Sequence, residues 1–588
     1  MLRVLGSWFR SLDDQTLAAL GLVSVWAATL LPFLSVAARN TRLVEVFNAD
    51  EAMQANLIVH ALHTHSWKLL FGAYGHLYLN LILVPLTALA PVSDTLVVET
   101  GRAISLASAV ALLLFSAWWA RRAYGSAAAW LTLLLIALNP TVYTWAVMLH
   151  PDMLQALLLM AALYCTACAL ERPTTACLLW ASAAAGLAFA AKYSGMFVLP
   201  LIAVAAVGRR TVGGGSAASR RLMVARTVLA LMALTLLAAF AIDANWIVRH
   251  VTADGHVDVP LVMSLDTLVV VIRAAGVALT AAVATPWLWR GLHRRQALAT
   301  TLWGFGVVLA IFVAAFAVAS PYSLWKLAFL KGLYFEAVET GARMNVQWVE
   351  GWITGAIGAI GWSIVVPAAC ATMWLLARRN RDRLLSIDIV LIGWMAIYSL
   401  VLLAPCHELF FHYTLPMIAP AALLASRGII AAWGALAEAL SRQRRAIALA
   451  GVCATMVLCE APGVVTLATT RAASLRREET LPVVVGEWLE RRMPASSTVV
   501  YDYMSYVPPK FARAEGTWGG SREWLASVDP DLVVVNRGAL TASSGHPDQE
   551  TYYRCLEDGS CGYRRVFAVE YMSVYERVAG GRVVRASF

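Results

Sequence analysis

Apolar runs close to 20 residues long recur along this chain, and they limit what it can fold into. Leu17–Val36, Ser105–Ala120 and Thr301–Ala319 each approach the roughly 20 residues that cross a bilayer as a helix. A segment in hydrocarbon must satisfy its own backbone hydrogen bonds, so each such run is read as helical. Only 14% of the 588 residues are charged and 60% are hydrophobic, whereas soluble domains carry roughly 25% charge. No water-soluble core hides that many apolar side chains.

The net charge of +10 raises nucleic acid as a partner, and the placement of the charges excludes it. Arginines cluster at alternate gaps between apolar runs: Arg121–Arg122, Arg209–Arg210 with Arg220–Arg221, Arg294–Arg295, Arg378 to Arg383, and Arg442 to Arg445. The intervening gaps are richer in His, Trp, Tyr and acids. This alternation follows the positive-inside rule, whereas a nucleic-acid binder gathers its basic groups on one surface.

With the arginine clusters as inside markers, the roughly 20-residue criterion gives about 13 helices. They fall at 17–36, 100–119, 125–145, 152–170, 174–190, 194–208, 225–247, 266–288, 299–319, 352–377, 385–404, 413–431 and 446–468. Leu77–Ala90 is short for a span and is read as re-entrant or interfacial. Met1–Asp14 precedes an apolar run too long for a cleavable signal, so the first span is retained with its N-terminus inside. An odd count places the C-terminus outside. Residues 1–470 are thus expected to form the membrane domain, with a long outer loop at 37–99, and 471–588 a small soluble α/β domain. Val483–Leu489, Thr498–Asp502, Asp531–Asn536 and Arg565–Tyr571 read there as short β-rich runs between turn residues, with a short helix ending near Gly486–Arg491. Of nine cysteines, only Cys555 and Cys561 lie in that domain. An oxidising compartment favours a disulfide between them over two free thiols. Cys165 and Cys168 form a C-x-x-C inside an apolar helix and read as packing residues. No internal repeat is visible, which weighs against transporters built from repeated halves.

Chemistry-bearing residues are few on the outer face. Asp50-Glu51 open an amphipathic segment in which Met53, Leu57, Ala61 and Leu62 share one face. Asp50 reads as a helix cap or as a general base at the membrane surface, and the two roles are compatible. Asp152, in His150-Pro151-Asp152, is a first-turn acid favoured by the helix dipole or a second acid of the same site. Together Asp50 and Asp152 could orient an acceptor hydroxyl and bind a divalent metal, although no ligand motif demands one. Cationic and imidazole groups on this face are Lys68, His76, Lys192, Arg249, Lys326, Lys331, Arg343, His407 and His412. Lys192 sits in Ala191–Gly195, a break between two apolar helices. There it either snorkels to headgroups or is paired. His412-Tyr413 open a later span, where they also fit an interfacial belt.

In this order, these pieces resemble the GT-C superfamily of membrane glycosyltransferases. The nearest branch is that of protein O-mannosyltransferases and the lipid A aminoarabinose transferase. Asp50-Glu51 stand in a long first outer loop. Gly75-His76-Leu77-Tyr78 resembles the family's His/Lys-Pro-Pro-Leu-Tyr segment without its two prolines. Asp152, Ala191–Gly195 and Phe411–Pro416 follow, the last like Arg-Tyr-x-x-Pro with His412 in place of Arg. The likeness runs over most of the membrane region.

The resemblance implies a GT-C fold and a polyprenyl-phosphate sugar donor lying among membrane lipids. Its sugar passes to a hydroxyl acceptor on the outer face of a bacterial inner membrane. Asp50 would be the base, supported by Glu51 and Asp152. Lys192, His76, His412 and Tyr413 would hold the donor phosphate. Single displacement would invert the anomeric centre. A transporter or flippase of a lipid-linked or charged substrate is the alternative, and it requires ionisable groups near mid-bilayer. Asp243 and Arg273 are the two that approach this. A non-catalytic assembly protein is a third reading.

Overall fold

The computed structural model describes residues 13–66, 74–89, 92–171, 174–208, 295–325, 355–377, 383–403, 411–439, 479–517, 521–537 and 547–578, with isolated positions between 447 and 476. The expected spans at 225–247 and 266–288, and most of 446–468, lie outside these residues. So do Lys68, Arg249, Lys326, Lys331, Arg343, His407, Asp243 and Arg273.

The described chain begins with α1 (Asp14–Leu30), α2 (Thr41–Glu45), α3 (Ala49–His63), α4 (Leu77–Leu86) and α5 (Asp94–Tyr124). It continues with α6 (Ser126–Ala137), α7 (Pro140–Trp145), α8 (Asp152–Glu171), α9 (Thr175–Ala191) and α10 (Leu199–Gly208). Then come α11 (Arg295–Ala319), α12 (Pro321–Trp325), α13 (Trp362–Leu376), α14 (Ser386–Leu403) and α15 (Leu415–Ala439). Among the described residues, four helical stretches are long and apolar enough to cross a membrane: Asp14–Phe33, Asp94–Tyr124, Asp152–Glu171 and His412–Glu438. Shorter apolar helices pack beside them, and the chain is a multi-pass membrane protein. Helices approach closely where small residues allow it. At Gly186 on α9, a Cβ would lie 2.3 Å from the Phe312 carbonyl oxygen of α11.

Two expected spans are broken. The run 125–145 divides into α6 and α7 because Pro140 cannot continue a helix but suits its first position. Asn139 caps the new start, its Oδ1 accepting from Val142 N–H. The run 352–377 breaks at Gly361, whose φ of +91° favours glycine.

In α3 the buried face differs from the expected one. Ala52, Ala55, Ile58 and Ala61 are buried with Glu51 and Gln54, while Met53 points outward. Three alanines let this face lie close against its neighbours, and the longer Met53 takes the open side. The cap also differs: Asn48 caps α3 through Oδ1 to Glu51 N–H at 3.0 Å, and Asp50 lies within the first turn.

The C-terminal part contains α16 (Leu481–Arg492), β1 (Val499–Asp502), β2 (Ala514–Thr517), α17 (Arg522–Val528) and β3 (Leu532–Asn536). It ends with α18 (Pro547–Glu557), β4 (Tyr563–Val569) and β5 (Met572–Arg577). The strands form one sheet in the order β2-β1-β3-β5-β4, with β1 parallel to β2 and β3, and β5 antiparallel to β3 and β4. Val483–Leu489 is helical rather than β. Pro482 starts α16, and Val483, Val485, Gly486 and Leu489 make a one-sided buried stripe. Cys555 and Cys561 are joined by a disulfide between α18 and β4.

Asp502 ends β1 and is buried. Its Oδ2 accepts from Asn536 N–H at 2.9 Å and from Tyr553 Oη–H at 3.2 Å. Burial outweighs those bonds and pushes its carboxyl up from 3.8 to about 7. Between these values the folded state holds a proton that the unfolded state has released, so this group's contribution to stability falls as pH rises. The loss runs from about pH 4 to about pH 7 and then levels, amounting to on the order of 4 kcal/mol at about 1.4 kcal/mol per pH unit. Thermal unfolding of the wild type and of Asp502→Asn between pH 5 and 8 checks this: the slope is expected to flatten in the variant.

Candidate active site

The membrane helices bring a buried polar cluster together where α7, α8, α9 and the 3-10 turn Phe411–Thr414 meet. Asp152 opens α8 directly after Pro151. Lys192 follows the end of α9 in extended backbone, φ −150° and ψ 136°, which turns its side chain back toward α8. Its ammonium donates to Asp152 Oδ1 at 2.9 Å. Gln155 fixes the turn, its Nε2 donating to Ser194 Oγ at 2.7 Å and to the Lys192 carbonyl at 3.2 Å. The other Asp152 oxygen lies against His150 Nδ1. Removing both charges from water is costly, so the pair must be held in good geometry to persist.

Aromatic rings wall the cluster. Lys192 Nζ lies 4.8 Å from the Tyr413 ring centroid and 5.1 Å from that of Tyr74, within cation–π range. Trp145 packs on His412 at 4.1 Å and on His150 at 5.0 Å, and the two imidazoles are 5.3 Å apart. Tyr74 also packs edge-on against His150. A low-dielectric box holding an ammonium and two imidazoles around one carboxylate suits an anion.

The segment bearing Tyr74 reaches the cluster through Gly75, where a Cβ would lie 2.0 Å from the Ala190 carbonyl oxygen. Only glycine allows that contact. His76 N–H donates to Ser320 Oγ at 2.6 Å, and its Nδ1 lies 3.3 Å from Ser323 Oγ. His76 is engaged with the residues around α12, and Tyr74 of this segment faces Lys192. Tyr78 anchors α4, donating to the Gly101 carbonyl at 2.7 Å and meeting Ser105 Oγ at 2.8 Å.

Glu51 is committed elsewhere. Arg102 of α5 grips it with two bonds, Nε to Oε1 at 2.6 Å and Nη2 to Oε2 at 3.0 Å. Leu149 N–H donates to the same Oε1 at 2.8 Å. Arg102 Nη1 also reaches the carbonyls of Phe33, Leu34 and Val36. Glu51 and Arg102 thus lock α3, α5 and the end of the first span together. Asn48 Nδ2 lies 3.9 Å from Met148 Sδ. The first turn of α3, which carries half-buried Asp50, therefore packs on the 148–149 turn that leads into His150.

Of the residues singled out from sequence, Asp152, Lys192, His412 and Tyr413 come together, while Glu51 and His76 are held in neighbouring contacts. His150, Trp145, Tyr74 and Arg102 were not singled out. Arg102 had a readable signal, an arginine within an apolar run, which is costly unless paired. Among the described residues, the group with metal-ligand spacing is His150, Asp152 and His412, with donor atoms within 4.8 Å of one another. It pairs Asp152 with two histidines and does not include Asp50. A two-histidine, one-carboxylate set suits Zn²⁺, but Lys192 already neutralises Asp152 and competes with a cation there.

Residues 86–246 match the family model described as dolichyl-phosphate-mannose-protein mannosyltransferase. The matched stretch contains His150, Asp152 and Lys192. Among solved structures, the chain is similar to ArnT from Cupriavidus metallidurans bound to undecaprenyl phosphate, with 15% identity and a TM-score of 0.47 over 95% of this chain and 98% of that one. It is also similar to the same protein in the apo state, with 15% identity and a TM-score of 0.45 over the same shares. No curated protein matches the chain.

Proposed function

We propose that this protein is an inverting glycosyltransferase. It moves a sugar from a polyprenyl-phosphate donor to a hydroxyl acceptor at the outer face of a bacterial inner membrane. The observation that carries this reading is the Lys192–Asp152 pair with His150 and His412 beside it; of these, His150, Asp152 and Lys192 lie in the stretch matching a mannosyltransferase family.

The chemistry follows from where charge moves. The acceptor oxygen attacks the anomeric carbon, the bond from that carbon to the donor phosphate oxygen breaks, and the phosphate leaves with the electron pair. Negative charge grows on the phosphate, so preformed cationic donors lower the barrier. Lys192 supplies the fixed charge, and His150 and His412 supply N–H donors. Asp152 holds Lys192 in place and balances its positive charge within the box. Tyr413 and Tyr74 orient the ammonium. Asp50, at the start of α3 beside the 148–149 turn, takes the acceptor proton as general base. Glu51 holds that turn through Arg102 and Leu149. The C-terminal sheet packs on α2, so the two share one side of the membrane, the outer side in this reading.

Transfer from a radiolabelled polyprenyl-phosphate sugar by the purified protein tests this proposal. Asp50→Asn is expected to slow transfer about 10²–10⁴-fold, the usual contribution of a general base, with unchanged thermal stability. Full activity in that variant would remove Asp50 from the mechanism.

A further inference from the structure

Helix α2 has only five residues, too few to hold a helix by its own hydrogen bonds. Thr41 N–H donates to Asp94 Oδ2 at 3.2 Å, and the two charged side chains of α2 are held by the far end of the sequence. Tyr501 of β1 donates its hydroxyl to both Glu45 oxygens, at 3.0 and 3.2 Å. Arg42 Nη1 donates to the carbonyls of Phe511 at 2.8 Å and Pro508 at 3.0 Å. Asn40, the cap of α2, places its Nδ2 3.4 Å from the Tyr506 hydroxyl. An apolar knot of Ala37, Leu43, Val46, Val483 and Tyr506 closes the contact. Glu45 and Tyr501 are both buried. Three residues beyond Glu45 stands Asn48, the cap of α3, and two further on stands Asp50.

We propose that the C-terminal sheet is a positioning element for the reaction, acting through Tyr501 and Glu45 to fix α2 and therefore the first turn of α3. This rests on the reading of Asp50 as the base. Both charged side chains of α2 are bound to the sheet unit, and two residues separate α2 from the cap of α3. A small displacement of α2 therefore moves the Asp50 backbone. Misplacing a reacting group by about 1 Å can cost on the order of 100-fold in rate. Loss of the Tyr501 hydroxyl would leave Glu45 buried without this donor, and relief would come from movement of α2. In Glu45→Gln the side-chain carbonyl still accepts from Tyr501, and the buried charge is gone.

The test uses the full-length protein in detergent with Tyr501→Phe and Glu45→Gln. Amide hydrogen exchange is read over residues 49–54, and kcat and donor KM are read in the transfer assay. Tyr501→Phe is expected to speed exchange in that turn and to lower kcat about ten- to hundredfold while donor KM stays near its wild-type value. Glu45→Gln is expected to keep both properties close to wild type. Unchanged exchange, or faster exchange with unchanged kcat, would overturn the proposal, and so would an equal loss in Glu45→Gln. Failure of the Asp50 assignment shows separately, as full activity in Asp50→Asn.

Discussion

Arg102→Met is expected to cost about 3–5 kcal/mol of stability, the usual loss when one partner of a buried ion pair is removed. Glu51 is fully buried and its two oxygens face Arg102. Without the guanidinium it must stay charged in a low-dielectric site or take up a proton. The carbonyls of Phe33, Leu34 and Val36 also lose their common donor. Pairing the change with Glu51→Gln removes the stranded charge, and the double variant is expected to recover part of the loss. Thermal unfolding in detergent, followed by tryptophan fluorescence, reads both. Equal destabilisation of single and double variants would show that the carbonyl contacts, rather than the ion pair, carry the effect.

The second large effect falls on Lys192. Lys192→Met is expected to lower transfer by at least about 10²–10³-fold, the range for losing one preorganised donor to a developing anion. It also strands Asp152, so some loss of thermal stability accompanies it. Lys192→Arg is expected to rescue poorly. The box walls stand 4.8 and 5.1 Å from Nζ, measured to the Tyr413 and Tyr74 ring centroids, and a planar guanidinium is not a compact ammonium. Transfer assays on both variants, scored against their thermal midpoints, separate the catalytic loss from the structural one.

Local pattern carried much of the fold. The runs at 299–319, 385–404 and 174–190 correspond closely to α11, α14 and α9, because apolar length alone marks a buried helix. The break at Lys192 was visible because a lysine and a glycine interrupt two apolar runs. Helix starts were less legible: Asn48, Asp50 and Glu51 all suit a first turn, and only the hydrogen bond to Asn48 decides which is the cap. Val483–Leu489 is rich in valine, which suits a strand, yet Pro482 and the one-sided burial make it helix. The candidate site was half legible. Asp152, Lys192 and His412 stand out as polar residues at helix ends. Trp145 and Tyr74 do not, since aromatic residues are common in membrane helices and belts. His150 becomes meaningful only when the turn at 411–414 is folded onto it, a contact between distant parts of the chain that no local spacing encodes.

Receipt of the donor's phosphate by the Lys192 cluster is the step on which the proposed mechanism rests. It is tested most directly by equilibrium binding of polyprenyl phosphate to the purified wild type and to the Lys192→Met/Asp152→Asn double variant. The double variant removes the cation and the carboxylate together, so no unpaired charge is left in the box and the fold is expected to persist. Saturable binding to the wild type is expected, with at least a tenfold weaker affinity in the double variant, about 1.4 kcal/mol or more, and with thermal midpoints alike. Wild-type affinity in the double variant would contradict it and place the phosphate elsewhere on the outer face.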